Sequence, residues 1–583
     1  MEEIIKRAQE YVQKETNSFF KEEVELLLTK QDVKELEDRF YRDLEFGTAG
    51  LRGIIGGGYN RMNSFVVRRA TQGLCNYLLK TFPGKALSAV IAYDSRRYSV
   101  QFALDTALIF AGNGIKAFLF SDIRPTPVLS FAIQHLKTDT GVVITASHNP
   151  PAYNGYKAYW NDGAQIIPPH DKGIIDCVNS VTTINVMDKN EAVQKGLLVY
   201  IDRDVDEAYK AMVKKYLHRK DIIKELGKQA KIVYTPLHGT GAVLFEAVMT
   251  ELGLNVTTVP EQRKPDGEFP TVSYPNPEEA EALKLAIELG KKEHADVVMA
   301  TDPDADRLGI AVPDGNGDYV LISGNQLGSL HLDYILHTLK ELGKMPPRAG
   351  CVRSIVTTEL QARIAEHYGT ECRECLTGFK WIASVMRAFE NEGIEFIYGT
   401  EESYGHTIEK EVQDKDGISA AALTAEMTLY WRSKGKSLLD RLNELYLIHG
   451  YHEERGINKY FEGSRGMDIM KTIMANYRAH QPETLGGLRV VKIRDIKTGE
   501  VWNTATPNTK QLTQLPSSDV IQWYLEDGTM VTVRPSGTEP KIKYYILARE
   551  KPGTPVDEAK LLVAKKITAL ENDIQAVLKA QTL

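Results

Sequence analysis

The stretch Val142-Val143-Ile144-Thr145-Ala146-Ser147-His148-Asn149-Pro150-Pro151 passes from an apolar run straight into a polar loop. The β-branched residues suit a strand, and Pro150-Pro151 can continue neither a ladder nor a helix. Three other stretches make the same transition. They are Tyr93-Asp94-Ser95-Arg96, Asp302-Pro303-Asp304-Ala305-Asp306-Arg307 and Glu401-Glu402-Ser403-Tyr404-Gly405. The preceding strands are predicted over 89–92, 142–145, 297–301 and 394–398, with others at 117–120 and 231–235. Helical patterns at 277–289 and 325–339 separate them. Such alternation predicts an α/β protein with largely parallel sheets, which bind ligands beyond the carboxyl ends of their strands. The expectation is three or four similar sheet units, each with one such loop. No strict short repeat is visible.

The ends of the chain read differently. Residues 1–40 are predicted helical, with a second helix over 23–30, as a cap on the first domain. Near the other end, strand 530–533, loop 534–540, strand 543–548 and helix 556–578 suggest a separate α+β domain. The 583 residues suffice for about three to five domains at ~100–200 residues each.

Lys and Arg number 71 against 78 Asp and Glu, a formal net charge of −7. That balance argues against a general nucleic-acid binder, which would be basic. It is silent about a small anionic ligand, because local charge can oppose net charge. No stretch reaches the ~18 consecutive apolar residues of a membrane span. The N-terminal MEEIIKRAQEYVQKE lacks the apolar middle of a signal peptide. The expectation is a cytoplasmic protein with neither a nucleic-acid nor a membrane partner. Its cysteines (75, 177, 351, 372 and 375) are sparse and odd in number, which fits reduced thiols. Cys372-x-x-Cys375 has no second ligand pair, so ordinary thiols are expected there.

The loops differ in chemistry. Ser147 at a strand end could attack a substrate if activated, with His148 orienting it; a plain strand-ending turn fits equally well. Asp302, Asp304 and Asp306 alternate after an apolar strand and can converge on one hard cation, Mg²⁺ rather than Zn²⁺. An EF-hand is excluded, because its sixth position would be Arg307 and its twelfth Pro313. Glu401 and Ser403 suit sugar hydroxyls, or a helix N-cap. Arg534, Ser536, Gly537 and Thr538 offer a guanidinium fork, hydroxyls and a backbone N–H to a phosphate. Gly239-Thr240-Gly241 follows a strand, but the third glycine of a dinucleotide fingerprint is Leu244, and no Walker-type motif occurs.

In this order, the four loops resemble those of the α-D-phosphohexomutase family over roughly residues 41–550. The resemblance implies four domains around a deep central cleft, three similar mixed or parallel α/β sheet domains and a C-terminal α+β domain. The expected bounds are a helical cap at 1–40, then domains at 41–208, 209–323, 324–452 and 453–583. It implies that Ser147 carries a phosphoryl group and that Asp302, Asp304 and Asp306 hold Mg²⁺ with the phosphoserine oxygen. It assigns Glu401 and Ser403, with Thr377, Gly378 and Lys380, to the sugar. Arg534, Ser536, Gly537 and Thr538 take the non-reacting phosphate. Arg52, in Phe46-Gly47-Thr48-Ala49-Gly50-Leu51-Arg52-Gly53, is similar to an active-site arginine of the family. Lys157 and Arg307 match basic residues near the transferred group, and Lys415 a general acid–base lysine.

The implied activity is isomerisation of glucose 1-phosphate to glucose 6-phosphate through a phosphoserine enzyme and glucose 1,6-bisphosphate. A pentose or mannose phosphate is the alternative substrate, and a metal-dependent sugar phosphatase the alternative class. Two departures bear on the sugar. Thr400 stands where the family has glycine before its glutamates. The cap and the FGTAGLRG wording at 46–53 are closer to a branch with phosphopentomutase-like members.

Overall fold

In a computed structural model the chain is described over residues 2–46, 50–461, 466–506, 509–536 and 541–580. The cap consists of α1 (Glu2–Lys14), α2 (Ser18–Lys30) and α3 (Val33–Phe40). Asn17 caps α2 by accepting from Phe19 N, so this helix starts five residues before its predicted onset. It stops at Gln31, which turns left-handed. The short, charge-rich α3 lies within the stretch predicted helical, but its separation from α2 was not anticipated. Only Leu36 and Phe40, four apart, are buried on it, and they join Ala8, Tyr11 and Val24 in a small core.

The first sheet contains β1 (Gly50–Ile54), β2 (Ser88–Tyr93), β3 (Lys116–Phe120), β4 (Thr140–Ile144), β5 (Tyr153–Trp160) and β6 (Leu198–Ile201), in the order β1-β5-β4-β2-β3-β6. Strands β4, β2, β3 and β6 run parallel, and β5 and β1 turn antiparallel at one edge. Every residue of β4 is buried, as expected of a parallel strand covered on both faces. Glu23 accepts from Gly57 N at 2.7 Å and Arg39 donates to Gly57 O at 3.1 Å. The cap thereby braces the turn that follows β1.

The second sheet repeats this plan. It contains β7 (Ile232–Thr235), β8 (Val256–Thr258), β9 (Val297–Thr301), β10 (Leu308–Pro313) and β11 (Tyr319–Ile322), ordered β11-β10-β9-β7-β8. Strands β9, β7 and β8 are parallel, and β10 and β11 are antiparallel at one edge. Thus β4 and β9 occupy matching positions, each followed by a loop and an antiparallel return strand. The helix predicted over 277–289 begins at Ala280 instead. The residues before it form a turn in which Asn276 Oδ1 accepts from Glu278 N.

In the third sheet, β12 (Ala349–Ser354), β13 (Glu371–Cys375) and β14 (Glu395–Glu401) form a parallel ladder in the order β13-β12-β14. Strand β14 runs past its predicted end. Thr400, the departure noted above, lies in it opposite Arg353, where a β-branched residue fits. A short strand β15 (Gly405–Thr407) follows.

The C-terminal sheet contains β16 (His452–Tyr460), β17 (Thr484–Leu485), β18 (Leu488–Asp495), β19 (Glu500–Asn503), β20 (Gln511–Leu512), β21 (Ile521–Leu525), β22 (Met530–Pro535) and β23 (Lys541–Arg549). Its order is β16-β23-β22-β21-β18-β19-β20, with β17 beside β18, and its pairings are antiparallel. Helices Gly466–Ala479 and Val556–Ala580 pack on it.

The chain forms two compact units. The first runs to Gly324 and takes back Ser403–Tyr430; the second is Asn325–Glu402 with the chain from Trp431 onward. Among the described residues, no helix is long and apolar enough to cross a membrane. All five cysteines are free. Cys372 faces Cys351 across the β12–β13 ladder rather than Cys375.

Candidate active site

The loop between β4 and β5 places Ser147 in left-handed backbone, φ +52°. For a residue with a Cβ that costs roughly 1–2 kcal/mol. Ser147 N donates to Thr145 Oγ1 at 2.9 Å, and Asn149 N to Ala146 O at 3.1 Å, which tighten the turn. The buried Ser147 hydroxyl donates to Asp302 Oδ2 at 2.7 Å and lies 3.3 Å from His148 Nδ1. Burial, and then the Arg307 and Arg52 charges, hold the His148 imidazolium well below its ordinary pKa. His148 is therefore a neutral ring at neutral pH.

The matching loop between β9 and β10 brings Asp302, Asp304 and Asp306 together, with one carboxylate oxygen of each within 4.8 Å of the others. A turn closed by Ala305 N on Asp302 O, with Ala305 at φ +51°, makes that convergence possible. Asp302 Oδ1 accepts from Arg307 N at 3.1 Å. Asp304 Oδ2 accepts from Lys157 Nζ at 2.7 Å and from Thr126 Oγ1 at 2.9 Å. Lys157 Nζ is 3.5 Å and Lys415 Nζ 3.2 Å from Asp306 Oδ2. Asp304 Oδ1 and Asp306 Oδ1 are buried with no hydrogen-bond donor. Burial, followed by the Asp304 and Asp306 charges, pushes the Asp302 carboxyl well above the carboxylate range. Burial also opposes ionisation of Asp304, but the Lys157 ammonium outweighs it and holds Asp304 far below that range. Burial alone would lower Lys157; Asp304 and Asp306 raise it instead.

Buried carboxylate oxygens lacking donors are what a hard divalent cation requires, so the residues fit Mg²⁺. Asp302, Asp304 and Asp306 would hold it.

The remaining expected residues of this unit gather around the same two loops. Arg52, exposed on β1, reaches Asn149 Oδ1 at 3.4 Å. The Arg307 guanidinium pairs with Glu278 at 2.8 Å. Lys415 is buried, its Nζ 3.2 Å from Asp414 Oδ1 as well as from Asp306. Asp414 Oδ2 in turn accepts from Tyr159 OH at 2.6 Å and Gln165 Nε2 at 2.9 Å. Ser403 lies in the turn before β15, where Tyr404 is left-handed at φ +62° and its carbonyl accepts from Leu308 N.

Within the second unit, Gly378 caps helix Phe379–Glu392 at φ +110°, and nothing lies within 4 Å of where its Cβ would be. Thr377 Oγ1 is buried without a hydrogen-bond partner, and the Lys380 ammonium lies over the Trp381 ring. Glu401 ends β14, buried, and Glu402 accepts from Ser354 Oγ at 2.9 Å. Arg534 lies on β22 opposite Lys543, and Ser536 N donates to Lys541 O at 2.7 Å. Gly537 and Thr538 lie outside the described residues.

Several supporting residues escaped sequence reading. Thr126 opens a helix (Thr126–Leu136) and caps its own N–H with Asp304 O at 2.9 Å. Nothing in the sequence points to it. Asp414 sits next to Lys415, which was a usable signal. Gly239-Thr240-Gly241, discounted as a nucleotide motif, braces the Asp loop. Thr240 N and Oγ1 donate to Pro303 O at 2.8 and 2.9 Å, and a Cβ on Gly239 would lie 2.3 Å from Pro303 Cα.

Known proteins resemble the chain over most of its length. The family described as phosphoglucomutase/phosphomannomutase matches through its α/β/α domain I over residues 43–185, domain II over 207–315 and domain III over 323–447. A human phosphopentomutase is 37% identical over 564 residues, spanning 92% of this chain and 90% of that protein. A Staphylococcus saprophyticus phosphoglucomutase is 36% identical over 520 residues, spanning 88% and 92%. A mouse glucose 1,6-bisphosphate synthase is 35% identical over 560 residues, spanning 91% and 88%. The crystal structure of pp63/parafusin from Paramecium in its open form superposes with a TM-score of 0.68 at 17% identity, covering 93% of this chain and 95% of that one. That likeness bears on the fold alone.

Proposed function

The chain belongs to the phosphoglucomutase/phosphomannomutase family and is an isomerase of the mutase type; from that premise we propose that it interconverts glucose 1-phosphate and glucose 6-phosphate with Ser147 as phosphoryl carrier. The observation that carries the proposal is the 2.7 Å bond from Ser147 Oγ to Asp302, beside two carboxylate oxygens without donors. A sensor would need neither a seryl hydroxyl there nor the lysines around it.

In the proposed cycle the seryl O–P bond breaks and a sugar hydroxyl oxygen forms the new O–P bond. The hydroxyl proton passes to a base, with Lys415 as the candidate, and the departing seryl oxygen takes up a proton across its 2.7 Å contact with Asp302 Oδ2. The resulting glucose 1,6-bisphosphate reorients and returns its other phosphoryl group to Ser147. On that return the seryl proton has two acceptors in reach, Asp302 Oδ2 and the neutral His148 Nδ1. Lys157, Arg307 and Arg52 offset charge on the transferring oxygens. A bound Mg²⁺ would supply further neutralisation of those oxygens. Thr377, Gly378, Lys380, Glu401 and Ser403 are proposed for the sugar hydroxyls. Arg534, Ser536, Gly537 and Thr538 are proposed for the distal phosphate. The domain bounds given above and a cytoplasmic setting belong to the same reading.

A second reading, a pentose 1-phosphate as substrate, is favoured by the name of the human relative. Assays coupled to each product separate the two. Faster turnover of glucose 1-phosphate supports the first reading, and equal or faster turnover of ribose 1-phosphate sinks it. Intact mass should show one phosphate-sized increment on the native chain. Release of inorganic phosphate at the rate of turnover would instead point to a phosphatase.

A further inference from the structure

The polar loop Tyr93-Asp94-Ser95-Arg96 has no part in the reaction as described. It ends β2, the strand beside β4, and its Arg96 side chain is fully buried. The guanidinium lies inside the loop that carries Ser147. Nη2 donates to Ser147 O at 2.5 Å and to Asn149 O; Nη1 donates to Pro150 O at 2.9 Å and to Tyr153 O at 3.0 Å. Asp94 fixes the fork from behind. Its carboxylate is 3.2 Å from Arg96 Nε and accepts from Arg96 N and Ser99 Oγ. The Phe269 ring lies 4.9 Å from the guanidinium carbon.

A tight turn points its carbonyls inward, and buried carbonyls need donors. Only arginine offers a planar fork able to serve four of them at once; lysine has three donors on a single atom. One of the four belongs to Ser147 itself, whose left-handed φ the sequence disfavours. Holding that carbonyl fixes the peptide plane after Ser147, and with it the direction of Oγ toward Asp302.

We propose that Arg96 is a positioning residue for the phosphoryl-carrying serine, and that its guanidinium is the template on which the 147–153 loop is set. The Arg96 side chain is fully buried and spent on loop carbonyls, so it acts through Ser147 rather than on the transferred group. The proposal rests on the reading of Ser147 as carrier.

The test uses the full-length chain, dephosphorylated, then mixed with Mg²⁺ and glucose 1,6-bisphosphate. Intact mass follows the phosphate increment in time, and steady-state assays give kcat and KM for glucose 1-phosphate. Arg96→Lys and Arg96→Ala are compared with the native chain, with thermal melting to check folding. Expected is a fall of about a hundredfold in phosphorylation rate and kcat, with KM changed less than about threefold, as for a misaimed nucleophile. Millimolar guanidinium ion should restore part of the rate in Arg96→Ala and none in Arg96→Lys. If Arg96→Ala fails to fold, the kcat-against-KM split in Arg96→Lys decides. Rates within about threefold of native in a folded variant, or a KM rise that accounts for the whole loss, overturn the proposal. A native chain that takes up no phosphate overturns the carrier reading, and this proposal with it.

Discussion

Ser147 is buried against a carboxylate, so its removal leaves no other hydroxyl in that position. The Ser147→Ala chain is expected to show no phosphate increment by intact mass and only background mutase turnover. Asp304 has one oxygen engaged by Lys157 and Thr126 and another with no donor. Asp304→Asn should weaken cation binding at least about a hundredfold, read by Mg²⁺ titration of activity after chelator treatment. His406 adds a pH dependence. Burial lowers its pKa to about 3, against ~6.5 in an unfolded chain. Above pH ~6.5 both states are neutral there and stability is at its full value. Between pH ~6.5 and about 3 the unfolded chain binds the proton first, so stability falls by about 1.4 kcal/mol per pH unit. Urea midpoints measured from pH 7 to 4 should drop less steeply in His406→Asn than in the native chain.

At the scale of elements, one plan recurs in the first unit: a parallel strand, a loop with a left-handed residue, and an antiparallel return strand. Ser147 and Ala305 are those residues, after β4 and β9. The strand-to-loop transitions were legible because buried strands are continuous apolar runs and the loop side chains are distinctive. The left-handed residue in each loop was not, because neither serine nor alanine favours that conformation. The residues that aim the loops, Thr126, Glu278 and Arg96, were illegible as such because they act from afar in sequence. Gly239 gives this a test. A Cβ there would meet Pro303 backbone, so Gly239→Ala should cost about 1–3 kcal/mol in urea unfolding and weaken Mg²⁺ binding together.

At the scale of the molecule, the first unit is discontinuous in sequence. Its return segment is tied in by many bonds. Gln413 N donates to Ser130 Oγ, Tyr209 OH to Asp416, Gly417 N to Ala305 O, and Glu426 accepts from His218 N and Arg219 N. Residues 2–324 expressed alone should therefore expose apolar surface and bind a dye such as ANS, and joining 403–430 to that fragment should suppress the binding. Four sheet-forming regions could be anticipated from alternating patterns; this return could not, because no local pattern announces a partner between about one and three hundred residues away. The same connectivity sets an order of assembly during synthesis. When Gly324 leaves the ribosome, the serine and aspartate loops are already made but Lys415, the second ammonium beside Asp306, is not. At about 5–20 residues per second the ribosome needs several more seconds to deliver it. A nascent chain thus spends that interval with its buried aspartate cluster unfinished, and chaperone occupancy should peak there.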